Sequence, residues 1–302
     1  MTLVVIALGG NALLRRGQPL DATIQRANAK VAAEVIAEIA RNHQVVLTHG
    51  NGPQVGLLAL QSDAYDEVRP YPLDILDAES EGMVGYVLEQ ELGRRIPPSR
   101  LATLLTQVVV DGNDPAFAHP TKPVGPTYGW DEADRLAKER GWTIAQDGRR
   151  WRRVVPSPEP KRIVELRAIQ VLVDASLVVI CAGGGGVPVV ELPHMGTHGV
   201  EAVIDKDRSA ALLATQMGAD ALLLLTDVDA VYHGWDTPDA KAIRSTSVAE
   251  LRALDAPAGS MGPKVEAVCR FIDAGGRLAA IGKLDDAPEM LAGQRGTVLR
   301  GS

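Results

Sequence analysis

Five apolar runs recur along the chain, at Leu3–Leu8, Gln44–Thr48, Leu101–Val110, Leu177–Ala182 and Ala221–Thr226. Their Val, Ile and Leu residues are continuous, not alternating. A strand with one wet face alternates, because successive side chains point to opposite sides; a strand covered on both faces has no need to. Such strands belong to mainly parallel sheets, whose crossover helices cover both sides. Between the runs a helical period appears. Val31, Val35 and Ile39 fall at i, i+4 and i+8, with Glu34, Glu38 and Arg41 elsewhere around the same helix. Strands alternating with helices predict a doubly wound α/β fold, a three-layer α/β/α sandwich around a mainly parallel sheet.

One stretch breaks the pattern. Residues 111–160 carry Pro115, Pro120, Pro123, Pro126, Pro156, Pro158 and Pro160, which preclude long regular elements, and three of the four tryptophans. Inside it, Asp131 to Arg140 reads as a short charged helix and Trp142 to Val155 as a hairpin around Asp147-Gly148. The aromatic content and the hairpin favour a small subdomain, inserted at 111–160 into a main domain spanning 1–302, over an irregular surface loop.

Composition narrows the partners. The 302 residues are 46% hydrophobic and 23% charged, enough for a full core and inconsistent with disorder. The formal net charge of −7 comes with no basic run, which argues against a nucleic-acid partner. Cys181 and Cys269 follow no metal-ligand spacing and read as buried free thiols, which suits a reducing compartment. Met1 to Ile6 enter a strand with no basic leader before it, and the apolar runs are too short to span a membrane. A soluble, cytoplasmic protein is expected.

The glycines sit where ligands bind. The first run ends in Gly9-Gly10-Asn11, the second in His49-Gly50-Asn51-Gly52-Pro53, and the fourth in Gly183-Gly184-Gly185-Gly186. In a parallel sheet these loops emerge at the carboxyl edge, where open α/β sheets hold ligands. Glycine lets backbone N–H groups approach an anion, and a following helix adds its positive end. Gly184 and Gly185 are therefore candidate phosphate-binding residues beside the first two loops. Any one loop is equally a tight turn. Neither a P-loop nor a dinucleotide fingerprint is present.

Three segments offer cations. Asp205-Lys206-Asp207 follows an apolar stretch, with local pairing in a solvated turn as the bland alternative. Gly259-Ser260-Met261-Gly262-Pro263-Lys264 runs into a helix that Pro263 can open. Lys264 in its first turn opposes the helix dipole unless an anion compensates. Lys122 lies in the stiff segment Thr121-Lys122-Pro123-Val124-Gly125-Pro126. Thr226-Asp227-Val228-Asp229-Ala230-Val231-Tyr232 leaves a buried strand and reads either as a nucleotide wall or as an ordinary turn. His194 and His198 lack a third ligand, and no residues are assigned to a protein-held metal. His49 reads as structural.

Together these segments resemble the carbamate kinases, a family of the amino acid kinase superfamily. The resemblance runs through Ala7 to Leu13, His49 to Gly56, Glu79 to Tyr86, Asp114 to Phe117, Lys122 to Pro126, Arg152 to Pro158, Gly183 to Pro188, Glu201 to Asp207 and Gly259 to Glu266, in the family's order over nearly the whole chain. It implies a homodimer of α/β/α sandwiches, with 111–160 as a protruding lid, and reversible phosphoryl transfer between ATP and carbamate that gives ADP and carbamoyl phosphate with Mg²⁺. It implies catalytic roles for Lys122, Lys206, Asp207 and Lys264. Gly9, Gly10, Asn11, Gly50, Asn51 and Gly52 would surround carbamate and the transferred phosphate. Thr226, Asp227, Val228, Tyr232, Met261 and Gly262 would line the nucleotide side. Acetylglutamate kinase and its like carry a lysine just before the first glycine pair. This chain has Ala7-Leu8 there, and Lys122 would compensate. The stretch from Glu191 to Val200 departs from the family pattern and receives no role. Two alternatives keep the fold: another small acyl acceptor, or a catalytically silent nucleotide-binding regulator.

Overall fold

The computed structural model describes residues 1–15, 17–65, 70–254 and 261–301. Its central sheet has seven strands in the order β16-β15-β12-β1-β2-β9-β3. In chain order these are β1 (Leu3–Leu8), β2 (Gln44–His49), β3 (Leu101–Thr103), β9 (Val178–Ile180), β12 (Ala221–Thr226), β15 (Leu278–Lys283) and β16 (Thr297–Arg300). All neighbours pair parallel except β15 with β16. The register sets Ile6 opposite Leu47 on one side and Leu223 on the other, so apolar residues fill both faces of the pleat.

The two faces explain the continuous runs. Val4, Ile6 and Leu8 pack under α1 (Ala22–Ile39) and α3 (Leu73–Leu92), against Ala32, Ile36, Val84 and Leu88. Val5 and Ala7 face the opposite layer, formed by α5 (Leu166–Asp174), α6 (Lys206–Gln216) and α8 (Met261–Asp273) through Ile169, Leu213, Val268 and Phe271. Helix α1 starts where Asp21 accepts from the N–H groups of Thr23 and Ile24. The remaining helices of the main body are α2 (Gly52–Ala64), α7 (Val248–Arg252) and α9 (Ala287–Leu291). The expected three-layer sandwich is present.

The strands depart from expectation in two places. The run Leu101–Val110 is split: β3 ends the central sheet, and β4 (Gln107–Val110) joins a second sheet ordered β11-β10-β4-β8 with β8 (Pro160–Ile163), β10 (Val187–Leu192) and β11 (Gly196–Gly199). The break falls where the Thr106 N–H leaves strand pairing and donates to Glu81 at 3.1 Å. An apolar run gives no sign of such a change of sheet. The apolar runs predict neither β15, where Ala279, Ala280 and Gly282 thin out the branched residues, nor β16 at the edge beside it.

Residues 122–155 build a sheet of their own, β5-β7-β6, from β5 (Lys122–Tyr128), β6 (Thr143–Asp147) and β7 (Arg150–Val155), with α4 (Trp130–Arg140) across it. Tyr128, Ala133 and Leu136 form its small core with Trp142, Ile144 and Trp151. It meets the main body at α2. A side chain on Gly56 would come within 2.6 Å of the Gly125 Cα, and Arg140 pairs with Asp63. A last hairpin, β13 (Val231–His233) with β14 (Lys241–Ile243), follows β12.

Candidate active site

The parallel strands deliver their loops to one edge, and the glycines record how closely those loops meet. A Cβ on Gly9 would lie 2.7 Å from the Leu225 carbonyl oxygen, and one on Gly50 3.1 Å from the Gly10 nitrogen. Gly183 has no room for a side chain beside His49 and Glu81, nor has Gly184 beside Asn51. A Cβ on Gly185 would lie 2.6 Å from the Ile204 carbonyl oxygen, at the entrance to α6. Three sequence-distant glycine loops and the Asp205-Lys206-Asp207 segment thus form one contiguous rim. Gly184, Gly185 and Gly186 hold φ of 69°, 109° and 84°, a backbone that L side chains rarely adopt.

The charged residues gather on the same rim. Asp205 caps α6, its Oδ1 accepting from the N–H groups of Asp207 at 3.0 Å and Arg208 at 3.3 Å. Its other oxygen accepts from Lys122 Nζ at 2.6 Å, so the strand β5 of the smaller sheet is tied to the helix start. Asp207, in the first turn of α6, accepts from Lys206 Nζ on one oxygen and from Lys264 Nζ at 3.0 Å on the other. Asp207 and Lys264 are buried. Burial alone would push the Asp207 carboxyl up; Lys206 and Lys264 beside it outweigh that and hold it below the usual carboxylate range. Burial lowers the Lys206 ammonium against the pull of Asp207. Asp205 too is held low, Lys122 overcoming the effect of burial.

Helix α3 supports the rim from beneath with polar groups on its buried stripe. Glu81 accepts from the Gly183 N–H at 2.8 Å and from the Thr106 N–H at 3.1 Å, and burial pushes its carboxyl up to about 8 against those bonds. Asp77 and Ser80 accept from the Asn51 amide. His49 is sealed, with burial lowering it to about 4, which fits a packing role. Sequence reasoning gave these α3 residues no individual role. The signal was there: Asp77, Ser80 and Glu81 share the 3.6-residue stripe of Leu76, Val84 and Leu88, where polar residues need a reason to be buried.

Among the residues expected to line a nucleotide, Thr226 ends β12, its hydroxyl bonded to Asp227 at 3.1 Å, and Met261 and Gly262 open α8 next to Lys264. Val228 follows in the same turn. Tyr232 stands further out on the β13–β14 hairpin. Its hydroxyl donates to Asp229 at 2.7 Å and its ring lies 5.3 Å from that of Trp235. Gly10 and Gly52 lie on the rim loops, at the starts of a 3-10 turn and of α2. The side chain of Asn11, with Gly259 and Ser260, lies outside the described residues. Among the described residues no group of three or more His, Cys, Asp or Glu could hold a metal ion. His194 and His198 lie in the exposed β10–β11 hairpin.

Residues 2–283 match the amino acid kinase family. Among curated proteins, a carbamate kinase of Rhizobium meliloti (strain 1021) is 59% identical over 302 residues, covering 99% of this chain and 93% of its own. One from Haemophilus influenzae is 54% identical over 295 residues, covering 97% and 95%. Among solved structures, carbamate kinase from Giardia lamblia bound to AMP-PNP superposes with a TM-score of 0.91 at 40% identity, over 100% of this chain and 99% of that one.

Proposed function

The chain belongs to the amino acid kinase family and, within it, to the carbamate kinases, and we infer that it moves a phosphoryl group reversibly between ATP and carbamate, giving ADP and carbamoyl phosphate. One observation carries the mechanistic reading: a single buried carboxylate, Asp207, stands between two ammonium groups at the starts of two helices, beside a glycine rim. Phosphoryl transfer asks for positioning and for charge stabilisation on three equatorial oxygens, with little covalent chemistry from the protein. Lys206 and Lys264 supply that charge, and Asp207 fixes their spacing before substrate arrives, so no reorganisation is needed during the reaction.

The loops at Gly9-Gly10, Gly50 to Gly52 and Gly184-Gly185 offer backbone N–H groups to carbamate and to the migrating phosphate. Lys122 enters from the smaller sheet and closes the site as a lid residue, the 111–160 segment acting as the lid. The nucleotide lies along Thr226 to Val228, Met261 and Gly262, with Tyr232 at its outer edge. Both Asp207 oxygens are directed at lysines, and no described acidic cluster is offered to a cation. Mg²⁺ would come with the nucleotide phosphates and would neutralise part of their charge.

A homodimer through α3 and the edge strand β3 is part of the same reading. Tyr86 and Leu105 are exposed there, beside a cleft of about 570 Å³ lined by Gly82, Glu89 and Thr103. Among the described residues no helix is long and apolar enough to cross a membrane, and a cytoplasmic location is proposed with it.

The test is ATP formation from ADP, Mg²⁺ and carbamoyl phosphate, followed by a coupled assay. A folded protein that forms no ATP refutes the reading; turnover of another acyl phosphate in preference to carbamoyl phosphate relocates it to a different acceptor.

A further inference from the structure

The two ends of the Asn51 amide are in different situations. Nδ2 donates to Ser80 Oγ at 2.8 Å and to Asp77 Oδ1 at 3.2 Å, so both of its N–H bonds are committed. The Ser80 hydroxyl gives its own proton to the Asp77 backbone carbonyl at 2.9 Å, which leaves its oxygen able only to accept. Burial pushes the Asp77 carboxyl well up against the pull of the Asn51 bond. Its Oδ1 takes the Asn51 bond, and its Oδ2 has no partner among the described residues. Turning the amide over would set its carbonyl oxygen against the Ser80 oxygen, whose proton is already given to the Asp77 carbonyl, so the Ser80 contact fixes the orientation.

Gly184 closes over the amide so tightly that no side chain fits between them, and Asn51 is 3% exposed. Its Oδ1 nevertheless accepts no hydrogen bond from a described residue, and it is not sealed off from the rim. A buried, rigidly aimed acceptor at the substrate rim implies a donor on the substrate.

We propose that Asn51, held by Asp77 and Ser80, determines acceptor specificity: its Oδ1 takes an N–H of the substrate, so the site selects an acyl group bearing an amino group over one bearing a methyl group. The inference rests on the assignment of the rim to carbamate made above. Carbamate and carbamoyl phosphate present H₂N–C(=O)–, whereas acetate and acetyl phosphate present CH₃–C(=O)– of nearly the same shape. A methyl group leaves Oδ1 desolvated and unpaired, which weakens binding by about 10- to 100-fold. Asp77 and Ser80 are positioning residues, acting through Asn51.

The experiment compares two unreactive phosphonates by calorimetry, phosphonoacetamide with the amino group and acetonylphosphonate with the methyl group. The wild-type protein binds the amide tighter by about 10- to 100-fold. In Asn51→Ala the two affinities come within about threefold of each other, and in Ser80→Ala the preference falls part of the way, because the amide can then turn. General damage lowers both affinities and leaves the ratio alone. Equal binding by the wild type, or a ratio unchanged in both variants, overturns the role of Asn51 while leaving the rim assigned to carbamoyl phosphate. If neither phosphonate binds the wild-type protein, the rim assignment itself falls and takes this inference with it.

Discussion

Asp207→Asn removes the charge between Lys206 and Lys264 and keeps the side-chain volume. At the 3.0 Å separation from Lys264, an effective dielectric of about 20 gives roughly 5 kcal/mol of gross attraction. Relaxation recovers part of this, and breaking a buried ion pair by neutralising one partner typically costs about 3–5 kcal/mol. For 302 residues the unfolding entropy converts that to a fall in Tm of about 5–8 °C. The sign with pH is also fixed. The Asp207 carboxyl is held below its ordinary value of 3.8, so its stabilisation is complete above about pH 4 and is withdrawn as pH falls further. The wild-type protein therefore loses its advantage over the variant in acid. Turnover falls by about 10²- to 10³-fold, because the ammonium groups lose their common anchor. Differential scanning calorimetry from pH 3 to 7, with the coupled ATP assay, reads both quantities. A Tm within about 1 °C of wild type at pH 7 refutes the claim that this carboxylate anchors the lysines.

Three further outcomes are expected. Glu81, raised from 4.5 to about 8, contributes stability that is full below about pH 4.5 and lost as pH rises through about 8; Glu81→Gln should flatten the stability profile across that window in chemical denaturation. Asp205→Asn keeps a capping oxygen for α6 but discharges the partner of Lys122, so Tm should change by less than about 2 °C while amide hydrogen exchange in residues 122–155 speeds up at least severalfold; unchanged exchange would show that the pair does not hold the smaller sheet. Cys181 and Cys269 are buried and burial raises both thiols, so a thiol-reactive dye should modify neither in the native protein and both after denaturation; rapid native labelling would contradict their placement.

Periodicity carried the framework, because burial on both faces of a parallel sheet leaves a direct trace in continuous apolar runs. It missed what depends on the third dimension. The turn at Leu104 to Thr106 moves the chain from one sheet to another without interrupting its hydrophobicity. Strand β15 is built around Ala279, Ala280 and Gly282, and a side chain on Gly282 would come within 2.8 Å of the Met290 sulfur on α9. At the site, the glycine loops and lysines were legible as segments. The rim they form is a property of the fold, fixed where Gly9 meets Leu225 and Gly185 meets Ile204. The pairing of Lys122 with Asp205, 83 residues apart, has no local signal at all. The α3 residues Asp77, Ser80 and Glu81 were visible as a motif, but what they hold became clear only when Asn51 and Gly183 were seen above them.

A crystal structure with ADP, Mg²⁺ and aluminium fluoride, a planar stand-in for the phosphoryl group in flight, bears most directly on how the site works. The Nζ atoms of Lys122, Lys206 and Lys264 should each lie within hydrogen-bonding distance of the planar group or the acyl position beside it, with Asp207 still between the latter two. A planar group bound away from Asp207, or lysines directed elsewhere while nucleotide and fluoride are bound, would contradict it.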